Sequence, residues 1–265
     1  MSTAYAPPVL GGHYGFRQAA RMEWIKLRSL RSTAYALLLT VVGMISMGVV
    51  TMANTKAPQG ASKVASFDPT NNVLAGVALG QLVIGVLGVL VVTGEYASGT
   101  IRSTLAAVPD RRLALAAKAA VFGGLALFVG ELVTFVSFVA GSAALSADVP
   151  HPSLGDPDVL RAVLLSGAYL AMVGLMGIAI GVITRHTASA IGVLVGITYV
   201  LPALLAGTTG TAVARFFPTM IAGNSLAVTV PMDGMLSPWA GFVVLCLYTA
   251  AFLAAADRLL ARRDA

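Results

Sequence analysis

The chain has 265 residues, 57% of them hydrophobic and 11% charged, with a mean hydropathy of +0.86. A soluble domain carries about 25% charged residues, so this chain cannot cover a water-facing surface, and disorder, which needs low hydrophobicity and high charge, is excluded as well. The single cysteine, Cys246, excludes an internal disulfide framework and any multi-cysteine metal site, which leaves an integral membrane protein.

Residues 1–15 open with MSTAYAPPVLGG and read as a flexible tail. Residues 16–32 have helix-compatible composition and lead into the first apolar run. At 100° per residue, Arg17, Arg21, Arg28 and Arg31 share an arc of roughly 80° that also holds Trp24. Phe16, Ala20, Leu27 and Leu30 form an adjoining apolar stripe, while Lys26 lies opposite the arginines. Such a helix lies along a membrane surface, with arginines at the lipid phosphates. A plain positive anchor with no further role is the alternative.

Six runs reach the length of about 20 apolar residues that a helix needs to cross a bilayer. They are 33–53, 73–93, 113–145, 162–183, 188–207 and 239–256. None alternates as barrel strands do, so the expected fold is all-α, a six-helix transmembrane domain over 33–256. The first run is too long for the apolar core of a secretory signal, about 7–15 residues, and reads as a retained anchor. Small residues recur in the second run (Gly76, Gly80, Gly85, Gly88) and in the fourth (Gly174, Gly177, Gly181). Membrane helices approach closely at such positions, although glycine is also simply frequent there.

Between the second and third runs the sequence GEYASGTIRSTLAAVPDRR has the length of a short helix plus a turn. Ser98 or Thr100 can cap the helix, and Pro109–Asp110 make the turn. Glu95 stands where the second run should leave the bilayer. A helix on two short connections can pass a push from a soluble partner into the membrane, or can be a capped surface helix that contacts nothing. Within the third run, Glu131 is expected near mid-membrane, where a charge costs at least ~3 kcal/mol on insertion scales. Gln81 is a candidate hydrogen-bond partner, with Thr134 and Ser137 on the same helix. Glu131 either lines a translocation path or attracts a cationic substrate, or it is a structural acid tying helices together.

Lys and Arg mark orientation. Thirteen of the 17 basic residues fall in the amino-terminal segment, the loop after the second run, Arg185 and the carboxyl-terminal tail 257–265; Lys56, Lys63, Arg161 and Arg215 lie on the other side. Both termini are therefore expected in the cytoplasm, in the inner membrane. The formal charge of +6 is explained by topology, so no nucleic-acid partner is expected. No G-x-x-x-x-G-K-[ST], H-E-x-x-H or G-x-S-x-G pattern is present, and His13, His151 and His186 lie in separate non-membrane segments. Catalytic and metal-binding residues are accordingly not expected.

RMEWIKLRSLRST before the first run, and EYASGTIRSTLAAVPDRRLALAAK between the second and third, are similar to the permease subunits of ABC type-2 transporters, the bacterial exporters that include drug-efflux permeases. The resemblance implies an interface helix at Arg17–Arg31 and a coupling helix that meets a separate ATPase subunit near Glu95, Tyr96, Gly99, Thr100, Ile101 and Arg102. It implies short re-entrant helices between the fifth and sixth spans, where RFFPTMIAGNSLAVTV is half apolar. It further implies a second permease chain, identical or different, and ATP and Mg on the ATPase, with no cofactor in this chain. The expected function is outward movement of a drug, lipid or peptide of amphipathic or hydrophobic character. The alternatives are a proton-coupled carrier using Glu131, for which no convincing inverted repeat is found, and a membrane scaffold.

Overall fold

Inside lipid, backbone groups must bond within their own segment, so apolar runs of this length become helices. The computed structural model describes residues 15–29, 31–56, 67–149, 151–228 and 234–262. Most of the expected tail, together with His13, Leu30, Lys63, Asp233 and Arg263, lies outside them. All regular structure among the described residues is helical, and six helices are long and apolar enough to span a membrane.

A surface helix, α1 (Phe16–Ser29), precedes the first span, α2 (Arg31–Ala53). The second span starts as a short helix, α3 (Pro69–Val73), passes through a 3-10 turn at Leu74–Gly76 and continues as α4 (Val77–Ala97). Its start is fixed by Asp68, which caps the Asn71 N–H at 3.0 Å and accepts from the Val228 N–H at 2.6 Å. The short α5 (Thr100–Ala107) leads to the 33-residue α6 (Arg111–Ala143), capped by Asp110 on the N–H groups of Arg112 and Leu113.

The fourth span, α7 (Val159–Thr184), is apolar all round and is the most deeply buried of the six, which is the position such a helix demands. It packs against α4, α6 and the last span, α12 (Pro238–Arg262). The contact with α4 is glycine to glycine. A Cβ on Gly88 would overlap the Gly174 carbonyl oxygen, and one on Gly177 would overlap the carbonyl of Gly85. Gly85 and Gly88 thus face Gly177 and Gly174 and let two backbones touch, whereas Gly76 and Gly80 of the same run pack on Met44 of α2.

The fifth span is helical throughout but irregular. Helix α8 (Thr187–Val195) widens into a π turn at Gly196–Val200 before α9 (Leu201–Thr209). Pro202 has no N–H to offer the Thr198 carbonyl four residues earlier, and its ring crowds that oxygen. The carbonyl instead accepts the Thr219 hydroxyl. Thr219 belongs to the second of two short helices, α10 (Thr211–Ala214) and α11 (Pro218–Leu226). Thr198 lies 11 residues below the end of α9, about 16 Å at 1.5 Å per residue, so α11 starts well inside the bundle. Ile221 and Ala222 are buried in the main core, and α11 packs on α7 and α12. The half-apolar stretch between the fifth and sixth spans is therefore re-entrant. The last helix runs six residues past Ala256, burying Ala256 and Leu260, and the Leu260 carbonyl accepts from Arg111 at 3.0 Å.

Candidate coupling site

The end of the bundle that carries both described chain ends also carries α5 and the turn between α7 and α8. Alanines bring α1 onto it: Ala19 packs with Val108, Ala114 and Ala117, whose small side chains let α1 lie close along the start of α6. The face of α1 turned inward is Ala19, Glu23 and Leu27, one residue per turn. Arg17, Arg21, Trp24 and Arg28 are exposed on its other faces, and Arg31, exposed as well, is the first residue of α2. Phe16, expected in an apolar stripe with Leu27, is exposed, while Leu27 is buried.

Glu23 would be an isolated buried charge if nothing met it; it is 1% exposed. Lys118 of α6, itself 6% exposed, approaches Glu23 Oε2 at 2.6 Å and Glu95 Oε1 of α4 at 2.7 Å. Lys26 completes a quartet, with its Nζ 2.8 Å from Glu23 Oε1 and 2.9 Å from Glu95 Oε1. Lys26 also donates to Thr104 Oγ1 of α5 at 2.9 Å. Two ammonium and two carboxylate groups cancel, so the desolvated cluster is neutral overall. Burial opposes the charge on Lys26, but its hydrogen bonds and the charges of Glu23 and Glu95 outweigh that, holding the ammonium above its ordinary value. Four helices, α1, α4, α5 and α6, meet in this one cluster. Buried ion pairs contribute little net stability, but removing one partner costs about 3–5 kcal/mol. Such a cluster ties together the elements it joins.

The remaining coupling candidates surround it. Tyr96 is half-buried, with the Arg185 guanidinium 5.4 Å from its ring centroid. Thr187 Oγ1 donates to Thr93 Oγ1 at 2.9 Å, so the turn between α7 and α8 is also tied to the end of α4. Gly99 makes the corner between α4 and α5 at φ 71°, a conformation other residues adopt only with strain. Thr100, Arg102, Ser103 and Ala106 are exposed on α5, Ile101 is partly covered, and Thr104 is buried toward the quartet. Glu95 is thus turned inward, away from the exposed face of α5.

Glu131 and Gln81 are not brought together. Gln81 accepts the hydroxyl of Tyr169 on α7, whereas Glu131 packs against Gly167 of the same helix. Residues 167 and 169 point to opposite sides of a helix, so α7 stands between the two groups. Thr134 donates to the carbonyls of Gly130 and Glu131. Glu131 Oε2 is buried without a hydrogen-bond partner among the described residues.

The quartet was only partly legible. Glu95 stands out at the end of its span, but Glu23, Lys26 and Lys118 read as flank charges. Two signals point to them. Lys26 lies off the arginine arc and three residues from Glu23, a spacing that pairs on a helix. Lys118 interrupts a run of alanines, where a lone ammonium needs a counter-charge.

A family model described as ABC-2 family transporter protein matches residues 19–203, from α1 through the start of α9. Among curated proteins none matches the chain. The matched stretch contains every member of the quartet, all of α5 and the first four spans. With well over half its length matched, the chain belongs to the ABC-2 family transporter proteins, as a membrane-spanning permease component of an ABC transporter system that implies an ATPase partner.

Proposed function

We propose that this chain is the transmembrane subunit of an ATP-driven exporter, with ATP and Mg bound and hydrolysed on a separate ATPase chain. Two permease chains pair to form the path, and an amphipathic or hydrophobic substrate moves outward across the cytoplasmic membrane. The observation that carries the reading is the buried Glu23–Lys26–Glu95–Lys118 quartet behind the exposed face of α5. The ATPase meets Thr100, Arg102 and Ser103. A push on α5 reaches Thr104 and Lys26, and through the quartet it moves α1, α4 and α6 as one body. Gly99 is the corner about which α5 turns. The positive-inside rule supports a cytoplasmic position for the basic end of the bundle, with both termini and α5 on the side where ATP is. No G-x-x-x-x-G-K-[ST] pattern occurs in the sequence, which supports ATP hydrolysis on the separate chain, with this chain as the transport subunit.

Affinity purification of the full chain from its own cells tests this. The expected result is recovery of a Walker-motif ATPase, with Ser103→Trp on the exposed face of α5 reducing recovery by an order of magnitude. A stable chain that brings down no ATPase overturns the proposal.

A further inference from the structure

Glu131 has no role in the coupling cluster, and its surroundings suggest one of its own. Thirteen residues beyond Lys118, it lies about 20 Å along α6 from the quartet, deep in the membrane-spanning part. Phe128 and Phe135 stand one turn either side of it, on the same face. Together with Leu132, and with Leu160 and Leu164 of α7, they line a groove of about 310 Å³ that opens sideways out of the bundle. That volume is at the small end for ligand pockets, about 300–1,000 Å³. Its walls are apolar and exposed, Phe128 at 67%. Glu131 is the charged residue of the lining.

The carboxyl is held in place, with the Ala168 backbone N–H as a hydrogen-bond donor to it and no basic side chain in the groove lining. Gly167 leaves room for it, since a Cβ there would come within 2.7 Å of Oε2. That oxygen has no hydrogen-bond partner among the described residues. The basic residue on the lining stretch of α7, Arg161, donates instead to Asp158 Oδ1 at 2.9 Å and to the Ala227 carbonyl at 3.1 Å. A carboxylate with no counter-charge among hydrocarbon side chains is costly, and a cation is its natural complement. Two flanking rings add the attraction of a cation to an aromatic face, strengthened where water is excluded.

We infer that the groove between α6 and α7 binds a lipophilic cation from the bilayer, with the cationic centre at Glu131, between Phe128 and Phe135. As a substrate site this rests on the exporter reading and narrows its substrate class to amphipathic cations; as a binding site it stands on the groove alone.

The probe is radiolabelled tetraphenylphosphonium, measured by equilibrium binding to the full chain in nanodiscs, with tetraphenylborate as a probe of the same shape and opposite charge. Saturable phosphonium binding is expected, with no saturable borate binding. Glu131→Gln should weaken the phosphonium at least tenfold, Phe128→Ala severalfold, and Glu131→Asp less than Glu131→Gln. Equal binding by wild type and a folded Glu131→Gln overturns the inference, as does equal uptake of both probes by the wild type. The wild-type comparison and Phe128→Ala decide the matter if Glu131→Gln does not fold. A Phe128→Cys variant that cross-links efficiently between two chains shows a second copy covering the groove, which also overturns it. Loss of probe binding with ATPase recovery intact removes this site and leaves the exporter reading in place.

Discussion

Replacing Lys118 by Met removes the ammonium that bridges Glu23 at 2.6 Å and Glu95 at 2.7 Å. Two carboxylates, with side chains 2% and 11% exposed, are left to share Lys26, whose own side chain is 30% exposed. Removing one member of a buried ion pair costs about 3–5 kcal/mol. At about 1.4 kcal/mol per factor of ten, the local opening equilibrium of α1 should shift by roughly a hundredfold or more. Hydrogen exchange followed by mass spectrometry in nanodiscs reads this directly. Amides of residues 19–29 should exchange about a hundredfold faster in Lys118→Met, while those of the α7 core stay unchanged. Glu23→Gln combined with Lys118→Met removes one charge of each sign and should cost less than the two single changes added. A change of about twofold or less in Lys118→Met would mean that the quartet behaves like a surface ion pair, worth at most ~1 kcal/mol, and would refute the argument that it locks four helices together.

Helix packing gives a paired prediction. Gly88→Ala should lower stability by about 1–3 kcal/mol because its Cβ meets the Gly174 backbone, whereas Gly124→Ala, with open space around it, should be neutral or slightly stabilising in the same SDS titration. Tyr169→Phe strips the donor from buried Gln81 and should cost about 0.6–2 kcal/mol, the range of interhelical hydrogen bonds in membranes. Lys26 sets a pH dependence. Its folded-state value is raised above 10.5, so its contribution is complete through neutral pH and is lost as the pH climbs past 10.5 and through the raised value. The protection of α1 should therefore fall on going from pH 8 to about 11.5, more steeply than in Lys26→Met, which lacks the titrating group.

What the sequence made legible follows from how strongly the bilayer constrains it. Backbone satisfaction turns long apolar runs into helices whatever their neighbours, so the six-helix, all-α architecture is readable from hydropathy alone. The recurrence of glycine in the second and fourth runs is readable, but that Gly88 meets Gly174 depends on which helices are adjacent, and periodicity does not contain that. The π turn at Gly196–Val200 has a visible cause in Pro202, yet the rescue of the Thr198 carbonyl needs Thr219, brought in by a helix 21 residues away. The coupling cluster shows the same division. Glu95 was conspicuous, whereas its partners come from α1 and α6, and Lys118 looked like another boundary cation. By sequence, Gln81 is a candidate partner for Glu131 because both are polar and near the middle of their spans. Tyr169, on the helix between them, takes the hydrogen bond instead.

In the proposed cycle, force from ATP hydrolysis enters at α5. Cross-linking to the copurifying ATPase tests it most directly, with single cysteines placed in a Cys246→Ser background. Ser103→Cys on the exposed face of α5 should form an adduct with the ATPase, and Ser146→Cys, exposed beyond the opposite end of α6, should form none. An adduct through Ser146→Cys, or an associated ATPase that Ser103→Cys never reaches, would contradict the account.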